Sequence, residues 1–207
     1  LLKSMFPYWI NHADAVPNDV DLCGQWVVTG PNMSGKSTLL RSVTACALLA
    51  NCGLAVPAIV HSEHPIPRLD GYFLRTNGSD CPAEGLSAFA LEADDIRILI
   101  RDVTSRSLAA VDELGRGTAP KEGAAIVGAV LEELDQRGCL SIFATHLHEE
   151  LGILPLNLIN TENKVLRVVE EDQENRYENE NNGLLGGGPV KYIYCLESGI
   201  CENSHSL

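Results

Sequence analysis

The run Gly30-Pro31-Asn32-Met33-Ser34-Gly35-Lys36-Ser37-Thr38 constrains the fold more than any other stretch of the chain. It follows the apolar segment Trp26-Val27-Val28-Thr29 and precedes a helical pattern carrying Leu39, Leu40, Val43, Ala47 and Leu48. Strand, glycine-bounded loop and helix, in that order, make G-x-x-x-x-G-K-[ST] a phosphate-binding loop. Gly30 and Gly35 let backbone N–H groups turn inward around a phosphate. A helix starting near Lys36 points its positive dipole end at the same place. Lys36 then reaches the β- and γ-phosphates, and the Ser37 hydroxyl ligates Mg²⁺. A chance glycine turn would not require the flanking strand and helix.

A second stretch answers the first. Ser107-Leu108-Ala109-Ala110-Val111 is short and apolar, as a buried parallel strand is, and it delivers Asp112-Glu113. Ligands of open α/β sheets sit beyond the carboxyl ends of the strands. Asp112 is thereby placed to hold Mg²⁺, directly or through water. Glu113 is placed to orient and deprotonate an attacking water. Leu140 to Ala144 reads as a further strand delivering Thr145-His146 at the same sheet edge, where His146 can sense a γ-phosphate.

The remaining elements follow from periodicity and end signals. Residues 25–29 read as a strand, and residues 36–50 as a helix stopped by Asn51-Cys52-Gly53. Leu69 to Arg75 reads as a strand. A helix from Ser87 to about Thr104 has Phe89, Leu91, Ile96, Leu99, Ile100 and Val103 on its inner face. Ser87 stands at its N-cap, where a hydroxyl both caps the helix and meets an anion. Lys121 to Gln136 reads as a helix closed by Gly138, with Ile126, Val127, Val130, Leu131 and Leu134 facing inward. Past Leu151 the pattern turns β-like, with strands at Lys164–Val169 and Val190–Leu196. The connector 170–189 between them is acidic and rich in Asn and Gly.

Two other clusters have a bland and a functional reading. Phe6-Pro7-Tyr8-Trp9 either packs the domain edge or stacks on an adenine, with packing favoured. His61, Glu63 and His64 stand beside Pro65 and Pro67, which favours an exposed turn over a metal site.

Composition enters as a boundary. The 207 residues suffice for one α/β domain with a sizeable core. A net charge of −13 argues against a broad basic face gripping DNA through this segment alone. No apolar run approaches the ~20 residues of a membrane helix. Seven cysteines without any C-x-x-C fit reduced, mostly buried thiols in an intracellular compartment, nuclear or organellar. The chain opens on Leu1 without a signal or transit peptide and reads as a segment of a longer protein.

Taken in series, these motifs resemble the MutS family of DNA mismatch repair ATPases. Thr29 to Thr38 is similar to its phosphate loop, and Asp112-Glu113-Leu114-Gly115-Arg116-Gly117-Thr118 to its Walker B strand end and following turn. Ala144-Thr145-His146 resembles its histidine switch; Ala55 to Ala58 and Ser87 to Glu92 resemble two further blocks. Residues 6–155 carry most of the likeness. Phe6 to Trp9 and Leu196 to Cys201 are similar to the plant organellar branch.

The resemblance implies an α/β P-loop NTPase fold of the ABC-ATPase type, with a mostly parallel central sheet flanked by helices. It implies a core over 1–155 and a β-rich part of the same domain over 156–207. It implies ATP and Mg²⁺ bound by Gly30 to Thr38, with Asn32 on the γ-phosphate side and Ser37 and Asp112 at the metal. Lys36, Glu113 and His146 would serve catalysis. Ser87 would act in trans on the nucleotide of a second MutS-like subunit, in a head-to-tail dimer that ATP closes. Mismatched DNA would be reached through other domains, because these residues contain no Phe-x-Glu wedge.

Other readings remain open at this point. One is a nucleotide-binding, catalytically weak dimerisation remnant; another is a different ABC-type ATPase of DNA metabolism. A transporter subunit would carry an L-S-G-G-Q signature ahead of Asp112, which this sequence lacks.

Overall fold

The computed structural model describes residues 1–76, 88–170 and 190–200. Gln25–Thr29 forms strand β3, buried at every position. It lies between β7 (Leu140–Ala144) and β8 (Thr161–Glu170) and pairs parallel with both. Outward from β7 come β6 (Ser107–Asp112) and β5 (Gly71–Arg75), also parallel. Strand β9 (Val190–Ser198) closes the other edge, antiparallel to β8. The six-stranded order is β5-β6-β7-β3-β8-β9.

Side chains of a strand alternate between faces, and here both faces are covered. Trp26, Val28, Leu108, Ala110, Ile142 and Ala144 pack with Leu39, Leu40, Val43 and Ala47 of α1 (Lys36–Asn51). Their sequence neighbours Val27, Ala109, Val111 and Phe143 pack the opposite way. On that side lie α2 (Ala88–Asp102), α3 (Pro120–Arg137) and the short α4 (His148–Ile153). Double burial is why these strands read as unbroken apolar runs rather than alternating ones. The α/β class with a mostly parallel central sheet is therefore as expected. Gly53 (φ 73°) follows α1, and Gly138 (φ 67°) caps α3 in the left-handed region.

Some features were not legible. Leu2–Met5 (β1), Asn18–Val20 (β2) and Ile59–Val60 (β4) form a small antiparallel sheet in the order β2-β1-β4. It seals the α1 side through Leu2, Met5 and Val20. The expectation of mostly buried cysteines needs correcting. Of the described thiols, Cys46 and Cys139 are buried, Cys195 is half-buried, and Cys23 and Cys52 are exposed. Burial pushes the Cys46 and Cys139 thiols up to about 11. His61, Glu63 and His64 lie in an exposed turn closed by the His64 N–H on the His61 carbonyl at 3.1 Å. No described helix is long and apolar enough to cross a membrane. Ser87 and most of the acidic connector lie outside the described residues.

Asp135 anchors the entry to β8. Its carboxylate accepts from the N–H groups of Ile159 and Asn160 and from the Thr161 hydroxyl, at 2.9, 2.8 and 3.1 Å. Asp135→Ala leaves those donors without their acceptor and should lower unfolding stability by about 3 kcal/mol. Urea denaturation checks this; a loss below about 1 kcal/mol would show water replacing the carboxylate without penalty.

Candidate functional site

At the carboxyl end of β3 the backbone reverses at Gly30 (φ 150°). A Cβ there would meet the Ser34 Oγ at 2.8 Å and the Leu166 carbonyl oxygen at 3.0 Å, so the loop closes only around glycine. Gly35 (φ 98°) precedes α1, which carries no side-chain cap. The first-turn N–H groups of such a helix lack intrahelical partners. Met33 adopts φ 65° and is largely exposed at the loop tip. Lys36 is buried, and its Nζ donates to the carbonyls of Gly30 at 2.7 Å and Pro31 at 2.9 Å. The buried Ser34 Oγ has no hydrogen-bond partner among the described residues.

This loop forms one wall of a cavity of about 490 Å³, within the size range of small-molecule sites. Asn32, Met33, Ser34, Gly35, Lys36, Ser37 and Thr38 line it, together with Glu113. Pro7, Ile10 and Val16 line it from the N-terminal segment, and Leu166 and Tyr194 from β8 and β9. Tyr8 and Trp9 stack edge to face at 5.0 Å and are exposed, whereas Phe6 is half-buried and meets His12 edge to face at 4.8 Å.

Tyr194 is a site residue that sequence reasoning missed. It has φ 54°, and its ring lies 3.2 Å from where a Gly35 Cβ would stand. Asn18 holds its strand: Nδ2 donates to the Tyr194 carbonyl at 2.9 Å, and Oδ1 accepts from the Leu196 N–H at 2.7 Å. Only the order of the folded chain brings positions 18 and 194 together, and no local pattern signals it.

Asp112 ends β6 opposite Ala144 of β7 and is 2% exposed. Its buried Oδ1 has no hydrogen-bond partner among the described residues. Burial pushes the carboxyl above its ordinary range and neighbouring Glu113 adds to this. Ser37, Lys36 and Arg41 pull it back. Among the described residues no group of three or more His, Cys, Asp or Glu could hold a metal. Mg²⁺ needs no such cage, since it keeps waters and one or two hard oxygens. An orphaned carboxylate oxygen beside a hydroxyl fits that requirement.

Glu113 follows with φ 49°, its N–H on the Ala144 carbonyl at 2.9 Å. Its Oε2 lies 2.7 Å from Arg116 Nη1. His146 is exposed two residues past β7 and is not among the cavity-lining residues. The structure thus gathers the phosphate loop, Asp112 and Glu113, sets His146 at the same sheet edge, and does not describe Ser87.

The pKa shift has a sign. Asp112 holds its proton more tightly folded than unfolded, where its ordinary value is 3.8. Its ionisation therefore weakens the fold as pH rises through the raised folded value, and below 3.8 there is no such penalty. In metal- and nucleotide-free protein at neutral pH, Asp112→Asn should raise the melting temperature by about 2–4 °C, as relief of a functional strain does. The gain should vanish below the carboxylate range. A lower melting temperature at neutral pH would show that Ser37, Lys36 and Arg41 outweigh burial.

Comparison with known proteins agrees with this geometry. The family described as MutS domain V matches residues 26–205. The mitochondrial DNA mismatch repair protein MSH1 of Arabidopsis thaliana is 42% identical over 205 residues, covering 98% of this chain and 17% of that protein. DNA mismatch repair protein MutS of Thermus thermophilus is 44% identical over 135 residues, 65% of this chain and 16% of its own length. The Thermotoga maritima MutS is 41% identical over 181 residues, 87% of this chain and 20% of its own. The chain spans 16–20% of the length of these three relatives. A glycine loop over a buried lysine, a buried strand-end aspartate and this breadth of matching sequence place the chain in the MutS family.

Proposed function

We propose that this chain is the ATP-binding and ATP-hydrolysing domain, of the P-loop ABC type, of a MutS-like DNA mismatch repair protein. The observation that carries the reading is the glycine loop closed over the buried Lys36, with the buried Asp112 and Glu113 at the neighbouring strand end. In this reading residues 1–155 form the nucleotide core and 156–207 the β-rich remainder of the same domain.

Each residue then has a task. Gly30 to Thr38 wrap the phosphates, and Lys36 supplies positive charge to the β- and γ-groups. Ser37 and Asp112 would hold Mg²⁺, which when bound neutralises charge on the phosphate oxygens. Glu113 orients the water and accepts its proton. For that its carboxylate leaves Arg116, an exposed partner that can swing away. His146 senses the terminal phosphate from the end of β7. Tyr194, Pro7 and Ile10 supply the apolar wall for the base.

Ser87 completes the site of a second MutS-like subunit, so ATP closes a head-to-tail dimer and hydrolysis reopens it. Other domains of the full protein contact mismatched DNA. The organellar name of the Arabidopsis relative makes an organellar location part of this proposal. A second reading, a nucleotide-binding but catalytically weak partner, draws on the 2.7 Å Glu113–Arg116 pair.

Mutants separate these readings. Lys36→Ala should weaken ATP binding at least ~10-fold by calorimetry while the fold melts normally. Glu113→Gln should retain ATP·Mg²⁺ binding and lower turnover by about 100-fold or more. Mixing Lys36→Ala with Ser87→Ala chains should restore part of the activity, and ATP but not ADP should drive association in sedimentation. ATP binding without turnover in the unmutated protein would favour the weak partner. Unchanged binding in Lys36→Ala would remove the phosphate-loop assignment.

A further inference from the structure

Behind the carboxylates lies a charged cluster that the proposed chemistry leaves unused. Arg75, the last residue of β5, sends Nη1 to the Asp112 carbonyl at 3.1 Å. Its Nη2 lies 3.0 Å from Glu92 Oε1, and its Nε lies 3.3 Å from Asp95 Oδ2. Glu92 and Asp95 both belong to α2. The other Glu92 oxygen accepts the Gly115 N–H at 3.3 Å. Arg75 and Glu92 side chains are only 14% and 11% exposed, so solvent screens the pair little.

We propose that Arg75 and Glu92 are positioning residues for hydrolysis, fixing the backbone on both sides of Glu113 so that the placement of α2 sets its pose. This rests on the reading of Glu113 as the residue that orients water. The geometry is specific. Arg75 holds the carbonyl of residue 112, Glu92 holds the amide of residue 115, and Glu113 lies between them at φ 49°. That conformation is unfavourable for a residue with a Cβ and persists only where its surroundings hold it. On the far side the turn meets α3. A Cβ on Gly115 would lie 2.9 Å from the Gly123 Cα, so the segment has no room to retreat. A shift of α2 therefore passes through one planar guanidinium and one carboxylate to the strand end. Arg fixes such geometry better than Lys, because its donors are rigidly splayed.

The alternative is a clamp that merely fastens α2 to the sheet edge. The test is made in the full native chain with Glu92→Ala, Glu92→Gln, Arg75→Lys and the double variant Glu92→Ala/Glu113→Gln. For Glu92→Ala the expected result is ATP affinity within about two-fold of the unmutated protein and kcat lower by about ten- to a hundred-fold. Glu92→Gln keeps an oxygen acceptor for the Gly115 N–H and should recover part of the rate, whereas Arg75→Lys should not. In the double variant, Glu92→Ala should add nothing to the loss from Glu113→Gln. Independently of turnover, amide hydrogen exchange at residues 113–115 should quicken in nucleotide-free Glu92→Ala.

Unchanged exchange overturns the proposal. So does a fall in kcat, affinity and melting temperature together, with no rescue by Gln. If the unmutated protein binds ATP without hydrolysing it, the reading of Glu113 fails. The exchange measurement then still decides whether Arg75 and Glu92 hold this backbone.

Discussion

The structure depends on burying β3 from both faces and both edges. A strand between two parallel neighbours cannot slip register without moving Trp26 and Val28 into the core reserved for Val27. That fixes where Thr29 ends and where the chain must turn. The loop from Gly30 to Gly35 is thus held at its root by a strand buried at every position. A loop so rooted can present backbone groups to a ligand with little loss of order on binding. Gln25 reinforces the root. Its side chain donates to the Leu131 carbonyl and the Thr161 hydroxyl and accepts from Ser141, tying α3, β8 and β7 to one point.

Against this rigid frame, the domain keeps one unfavourable feature in place. Asp112 is a carboxylate buried at a strand end with an oxygen that nothing in the described chain satisfies. A purely structural position would favour Asn or an apolar residue, since burying a charge is costly unless it is paired. Glu113 adds a second local violation, a left-handed backbone at a residue with a long side chain. Local rules fail side by side at 112 and 113 while the rest of β6 obeys them, which is the pattern expected where function overrides stability.

Much of this was legible because burial writes itself into sequence. Where a strand is covered on both sides, as at 26–28, 108–111 and 142–144, the apolar run is continuous and its end is sharp. Helices α1 and α3 announced themselves by period and by Gly53 and Gly138. The β2-β1-β4 sheet did not, because its strands are two to four residues long and carry Lys3, Ser4, Asn18 and Asp19. Strand β8 begins at Thr161 rather than the expected Lys164, because its polar start, Thr161, Glu162 and Asn163, is a strand through pairing with β3. The wall contributed by Asn18 and Tyr194, and the ties from Arg75 and Glu92 to the strand end, are contacts between distant segments. Periodicity carries no information about such contacts.

The Lys36 ammonium has a consequence of its own. It is already engaged by two carbonyls of the loop it crosses, so an arriving anion does not meet a bare, hydrated cation. Association is then an exchange of partners, in which oxygen atoms of the protein are traded for oxygen atoms of the guest. Such an exchange yields less net attraction than a charge count suggests. The two carbonyls also tie the ammonium to the loop at Gly30 and Pro31. Because the two carbonyls compete with a guest for the same ammonium, they lower affinity by weakening its hold.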